Sequence, residues 1–167
     1  MAYTTIDDPE AYFQVKTYTG DGSTPSITLD GDTDMQPDLV WIKNRDATDS
    51  HCLFDAVRGA TKVMHPDTNA LEATDADTLD SFASDGFQVD ADVKVNTNAE
   101  NYVAWCWKAG AGAGSSNTDG SINTTSTSVS QTAGVSISKY TGTAANATVG
   151  HGLGVVPKMM IIKNLID

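Results

Sequence analysis

The sequence has few of the residues on which several classes of protein depend. Of its 167 residues, two are cysteine and three are histidine, and acidic residues outnumber basic ones by 22 to 10. The two cysteines, Cys52 and Cys106, are too few for a disulfide framework and fit buried thiols in a protein made in a reducing cytoplasm. A formal net charge of −12 with no basic cluster argues against a nucleic-acid partner, because phosphate binding needs lysine and arginine on one face.

Long hydrophobic runs are also missing. No stretch approaches the roughly 18 consecutive apolar residues of a membrane-spanning helix, so we expect no membrane insertion. The segment from Met1 to Asp8 has neither a basic region nor an apolar stretch, and it therefore does not have the pattern of a signal peptide.

What the sequence does contain is a short apolar stretch between Pro37 and Asp46, PDLVWIKNRD. Its β-branched and aromatic residues, bounded by proline and by a polar group, predict a strand. Leu39, Trp41 and Lys43 would then share one face, and Val40 and Ile42 the other. Because both faces carry apolar residues, we expect this strand inside a sheet, with Val40, Trp41 and Ile42 substantially buried.

The same phrase returns near the C-terminus as residues 157–164, PKMMIIKN. The residues before it repeat as well, since Tyr18-Thr19-Gly20 matches Tyr140-Thr141-Gly142. This pattern indicates an internal duplication, of which the second copy includes only the opening strands.

The remaining pattern predicts four regions. Residues 1–12 form an N-terminal arm, 13–108 a β-sandwich module, 109–132 a linker rich in glycine, serine and threonine, and 133–167 a partial second β module. A second strong strand is expected over 101–108, and residues 61–80 are expected to form an extended loop with one short helix around 69–73. Many short strands with glycine-rich turns predict an all-β fold, a jelly-roll or concanavalin-like β-sandwich.

Several motifs together resemble a family of tailed-bacteriophage virion proteins that carry tandem lectin-like jelly-roll modules. The motifs are residues 2–9 (AYTTIDDP), 18–20 (YTG), 36–45 (QPDLVWIKNR), 57–59 (VRG), 84–87 (SDGF) and 102–107 (YVAWCW). The resemblance implies a tail-fibre or appendage protein of the virion, assembled in the host cytoplasm and active in attachment or host recognition. It implies no catalytic residues, because the shared motifs are strands and turns.

From this resemblance we expect other virion proteins as partners, a homo-oligomer, and a host surface glycan as a further possible ligand. Two other functions stay open, namely a carbohydrate-binding module whose main task is sugar contact, and a capsid decoration protein. Family members usually complete the second module, so the resemblance implies a longer native protein.

Several residues have the type or spacing of a metal or cofactor site, but each also has a structural explanation. Asp30, Asp32 and Asp34 alternate as in a calcium loop, but Met35 and Trp41 stand where an EF-hand needs glycine and glutamate. Three glycines, Gly110, Gly112 and Gly114, precede no helix that could hold a phosphate. We therefore predict no metal site, no cofactor site and a flexible linker at the glycines.

The histidines and tryptophans lead to similar expectations. His51, His65 and His151 are far apart and lack the spacing of a zinc site, and no serine or cysteine lies in an activating motif. We therefore predict no catalytic residues, and Cys106 is expected in the core. Trp41, Trp105 and Trp107 could stack on sugar rings, but large aromatics in apolar strands are more often core residues. If a glycan site exists, the loop over 61–80 is its expected position.

Overall fold

A computed structural model describes residues 6–166 of the chain. The opening of the predicted arm, residues 1–5, and the last residue of the predicted second module, Asp167, lie outside the described residues. The described part contains a 3-10 helix at Pro9–Ala11, where Asp8 caps the N-terminus and Pro9 takes the first position as its fixed φ favours. The strands are β1 (Phe13–Thr19), β2 (Ser26–Thr28), β3 (Leu39–Asn44), β4 (Cys52–Asp55), β5 (Gly59–Met64), β6 (Ala73–Thr74), β7 (Leu79–Ala83), β8 (Gly86–Val89), β9 (Asn101–Trp107), β10 (Ser126–Ser130) and β11 (Val135–Lys139), and one short helix, α1, covers Val93–Asn96.

The strands form an all-β sandwich, as the sequence predicts. The larger sheet has six strands in the order β1-β9-β3-β4-β5-β6, and the smaller has three in the order β2-β8-β7. β3 lies between β9 and β4 and pairs with both in antiparallel register. The predicted interior position of the Pro37 strand is thus confirmed.

The core lies between the two sheets and is built from alternate residues of each strand. Val40 and Ile42 on β3 are fully buried, and so are their neighbours Ala104 and Cys106 on β9. Phe87 on β8 closes the core from the smaller sheet. Burying such side chains gains roughly 25 cal/mol per Å² of apolar surface, so this layer stabilises the contact between the two sheets.

Two regions differ from the prediction. The expected loop over 61–80 contains most of β5 and all of β6, and no helix forms around residues 69–73. β5 lies near the edge of the larger sheet, where only Val63 is buried. An edge position does not require apolar residues at alternate sites, so the strand has no clear period in the sequence. The helix forms instead at α1.

The predicted linker over 109–132 also differs, because its last part is β10. This strand pairs with β11 across the turn that contains Gly134, and the hairpin brings Ser130 opposite Val135. Serine and threonine give β10 little apolar character, so its strand conformation depends on its partner and is not visible in its own sequence.

The second copy of the Pro37 phrase is not a strand. Residues 157–164 contain no strand and have no ladder partner among the described residues, and Met159 to Ile162 are exposed. A strand needs a neighbour to bond its backbone groups, and neither flanking strand of β3 has a counterpart beside this segment. None of the helices within residues 6–166 is long and apolar enough to cross a bilayer.

Candidate functional site

The face of the six-stranded sheet that points away from the core is apolar and aromatic. Side chains alternate along each strand, so the residues between the core positions of β1, β3 and β9 all point to this side. The register aligns them in rows across the three strands. We call this surface the outer face, and it consists of Phe13, Val15, Leu39, Trp41, Val103, Trp105 and Trp107.

The rings on the outer face contact one another in pairs. Trp41 and Trp105 pack edge to face with centroids 6.3 Å apart, and Phe13 and Trp107 pack tilted at 5.1 Å. Trp41 also donates a hydrogen bond from Nε1 to Nδ1 of His51 at 2.9 Å. Such pairs contribute about 0.5–1.5 kcal/mol beyond the burial of their area, which holds the rings in fixed positions.

The outer face is only partly covered. Phe13 is 39% exposed and Val15 50% exposed, and the three tryptophans are half-buried. The tryptophans lie outside the core cluster between the sheets, to which Val40 and Ile42 of the Pro37 strand belong, but none of the three is largely exposed, in line with the expected substantial burial of Trp41. The reason is the phase of the strands, since the core side is occupied by the residues on either side of each tryptophan.

A polar groove adjoins the outer face at the loop between β3 and β4. Its volume is about 630 Å³, and Lys43, Asp49, His51 and Asp67 are among the residues that line it. Lys43 crosses the loop and donates to two backbone carbonyls, those of Ala47 and Asp49, each at 2.9 Å. The groove is thus shallow and open, and Lys43 is held in place within it beside the aromatic outer face.

The groove lies only partly where a glycan site was predicted. Most of its lining comes from residues 43–51, and Asp67 alone belongs to the predicted loop over 61–80. The residues that bring the loop together were not identified from the sequence. Asn44 is the clearest, because its Nδ2 donates to Asp49 at 2.9 Å and its Oδ1 accepts from the backbone N–H groups of Asp46 and Ala47.

Asp38 holds the turn that follows β9. This carboxylate is fully buried, and it accepts hydrogen bonds from the backbone N–H groups of Ala109 at 2.7 Å, Ala111 at 2.9 Å and Gly112 at 2.6 Å. The predicted flexible glycine segment is therefore fixed to the sandwich at its start. The backbone N–H groups of this glycine segment bind the carboxylate of Asp38 and are therefore not available to a phosphate.

Arg58, from the Val-Arg-Gly motif, is a second buried charge with complete partners. Its Nε donates to Asp55 at 2.5 Å and its Nη1 to Glu72 at 3.1 Å. It also donates to the backbone carbonyls of Leu53 and Lys62, each at 3.0 Å. A guanidinium with this many internal partners connects β4, β5 and the loop before β6, and this role is structural.

The candidate metal ligands do not come together. Asp30 pairs with Lys16, and the backbone N–H of Asp32 donates to Glu10. His65 lies beside the backbone carbonyl of His51 at 2.8 Å, whereas His151 accepts from the N–H of Leu153 at 3.1 Å. Across residues 6–166, no three histidine, cysteine, aspartate or glutamate side chains cluster as metal ligands.

The two thiols are free and buried, and Cys106 lies in the core as predicted. Burial raises the pKa of Cys106 to about 12. Burial is also the main cause that raises the pKa of Cys52 to about 12. The thiolate is the nucleophilic form, so neither cysteine is poised for nucleophilic chemistry at neutral pH.

The sequence contained a signal for the exposed part of the outer face that the prediction did not use. Along β1, apolar and polar residues alternate as Phe13, Gln14, Val15, Lys16 and Thr17. In the structure, Gln14 is buried and Phe13 and Val15 are exposed. Gln14 turns inward because its side chain bonds Gly31 and Glu10, which holds the loop after β2.

A family model described as "Domain of unknown function (DUF7483)" matches residues 8–167. No curated protein and no solved structure matches the chain.

Proposed function

The chain belongs to the DUF7483 family, and we propose for it a structural, non-catalytic role in the virion of a tailed bacteriophage, as a tail-fibre or appendage component for attachment. The proposal rests on the motif resemblance together with one structural observation. That observation is the outer face, an aromatic surface left partly open on an otherwise acidic protein.

The composition of the outer face suits contact with other proteins. Tryptophan and phenylalanine are among the residues enriched at interfaces, and Phe13 and Val15 are open enough to be covered by a partner. The contacts among the rings hold them in place before binding. Association would therefore cost little side-chain entropy at these rings. Other virion proteins are the proposed partners of this surface.

Labelling of purified particles tests the role. A gold-labelled antibody against the chain is expected at the tail appendages in electron micrographs. Label on the head would favour the alternative of a capsid decoration protein, and absence of the chain from purified particles would contradict a virion role altogether.

A matched pair of variants tests the outer face itself. Trp105→Ala opens a gap beside Trp41 and is expected to lower incorporation into particles by at least about tenfold, as loss of a central aromatic contact costs 2 kcal/mol or more at interfaces. Thr143→Ala, on an exposed loop, is the control and should incorporate normally. If a folded Trp105→Ala chain is incorporated as well as the unaltered chain, the outer face is not an assembly contact.

The polar groove favours a second candidate, a carbohydrate-binding module. Fixed polar groups next to aromatic rings are the features with which proteins hold sugars, and Arg45 and Asp67 in the groove are exposed. A glycan array with the intact chain is the test. Specific glycan binding would establish this function as the main one if Arg45→Ala and Asp67→Ala each abolish it. The control Lys158→Ala should retain the binding.

A further inference from the structure

The segment over residues 155–166, which we call the tail, is an apolar strand sequence without a sheet. Val155, Val156, Met159, Met160, Ile161, Ile162 and Ile166 are all exposed. Exposed positions follow one another directly from 158 to 162, so the segment buries neither odd-numbered nor even-numbered side chains there. A stretch of this composition, with no aspartate or glutamate, is strongly disposed to pair with a free sheet edge.

The first strand of the sandwich offers such an edge. β1 is the terminal strand of the six-stranded sheet. Lys108 donates to Tyr12 and Gly20 donates to Glu100, so the even-numbered residues of β1 direct their backbone groups toward β9. The N–H and C=O groups of Phe13, Val15, Thr17 and Thr19 therefore point outward. Among residues 6–166, none of these groups has a backbone partner.

The charges of the two elements are complementary. The tail carries Lys158 and Lys163 in a chain whose net charge is −12. Beside β1 lies an acidic group formed by the 3-10 helix and the loop after β2, in which Glu10 accepts from Asp32, Asp8 accepts from Thr33, and Asp30 pairs with Lys16 on β1 itself. Opposite charge of this kind fixes the register of association and raises its rate.

Within one molecule the tail and the free edge lie on opposite sides of the sheet. The tail is held near β6, because Lys163 donates to the carbonyl of Thr68 at 2.9 Å and the N–H of Glu72 donates to Leu165 at 3.1 Å. β1 is the other end of the six-strand order, about 24 Å away at a strand spacing of ~4.8 Å. The strand that fits the edge therefore comes from another molecule.

We propose that the tail of one copy of this chain adds to the β1 edge of a second copy, and so extends the six-stranded sheet by one strand. The contact is heterologous, because the donor and acceptor surfaces differ. Each copy that uses its edge still presents its tail, so the association continues from copy to copy unless a ring closes. This self-association does not depend on the virion role proposed above.

The backbone phase of β1 provides a selective variant. Val15→Pro removes an outward N–H group and leaves every bond to β9 in place, which is the position where an edge strand tolerates proline. Val15→Thr keeps the N–H group and serves as its control. On the donor side, Met160→Asp with Ile162→Asp places charge on the exposed tail, where no core contact is at risk.

Sedimentation velocity of the full chain over a wide concentration range measures the effect. The unaltered chain and Val15→Thr are expected to self-associate as concentration rises, whereas Val15→Pro and the double tail variant should each associate at least about tenfold more weakly. A wild-type chain that stays monomeric throughout, or a Val15→Pro chain that associates normally, would overturn the proposal.

A mixture of the two blocked chains decides the pairing. Val15→Pro keeps a working tail and the double tail variant keeps a working edge, so together they should form a one-to-one dimer that neither forms alone. Failure of this mixture to associate, while each chain keeps the melting temperature and near-ultraviolet circular dichroism of the folded protein, would reject the tail-to-edge contact even if the chain self-associates by another surface.

Discussion

The two copies of the repeated phrase place apolar residues at matching positions but in opposite environments. In the first copy Met35, Val40 and Ile42 are 0% exposed, whereas their counterparts Val155, Met160 and Ile162 are 69%, 74% and 75% exposed. One local feature is common to both, since Asn44 accepts from Asp46 and Asn164 accepts from the N–H of Ile166 in the same way. The turn is thus set by nearby residues, but burial is set by strands that only the first copy has beside it.

Substitution of the residue after the repeated proline should give the largest difference in stability between the two copies. Asp38→Ala leaves three backbone N–H groups of the following turn without an acceptor, at about 1–3 kcal/mol each, so we expect a loss of about 5 kcal/mol. Lys158→Ala changes the matching position of the second copy, which is exposed, and should change stability by less than about 0.5 kcal/mol. Urea unfolding of both variants gives the two values.

The next-largest loss of unfolding free energy is expected from truncating a core side chain. Ile42→Ala should cost about 2–5 kcal/mol, because it leaves a cavity between the sheets. Ile162→Ala, its counterpart, should cost less than about 0.5 kcal/mol in the monomer. If both variants lose the same stability in dilute solution, the tail is packed and the contrast between the copies is wrong.

Alkaline pH should weaken the first module through its thiols. The pKa of Cys106 is about 12 when folded, against 9.0 in the absence of burial, so the folded chain keeps a proton that the unfolded chain releases. Stability is therefore full below about pH 9 and falls as pH rises toward 12, by up to about 1.4 kcal/mol per pH unit for this thiol.

Unfolding free energies at pH 8, 9 and 10 measure this slope. Cys106→Ala should reduce it, although it lowers stability at every pH. The second copy contains no cysteine and provides no such dependence. A slope that Cys106→Ala leaves unchanged would assign the pH effect to other groups.

The smallest effect concerns the hairpin before the tail. Gly134 has a φ of +71° in the turn between β10 and β11, and a Cβ there would meet nothing within 4 Å. Gly134→Ala should therefore cost only the backbone strain, about 1–2 kcal/mol. Gly86→Ala, with a Cβ placed 2.0 Å from the carbonyl of Ile27, should cost clearly more, and thermal unfolding of the pair compares them.

The sequence was informative wherever a strand carries its own apolar pattern. β3 was predicted with its faces assigned and β9 as a second strong strand, because each carries apolar residues that become core, such as Ile42 and Ala104. β5 and β10 were missed, since a strand next to the sheet edge and a serine-rich strand are stabilised by their partners. The outer face was missed for a related reason, because apolar composition alone does not tell which side of a sheet is covered.

The order β1-β9-β3 in the larger sheet also has a consequence for synthesis on the ribosome. Phe13 pairs with Trp107, so the first strand to emerge has its partner near the end of the module. At a translation rate of about 5–20 residues per second, that partner follows roughly 5–20 s later. During this interval β1 is unpaired on both edges. A ribosome that stalls before Asn101 would expose a nascent chain in which β1 and β3 lack β9, the strand that joins them.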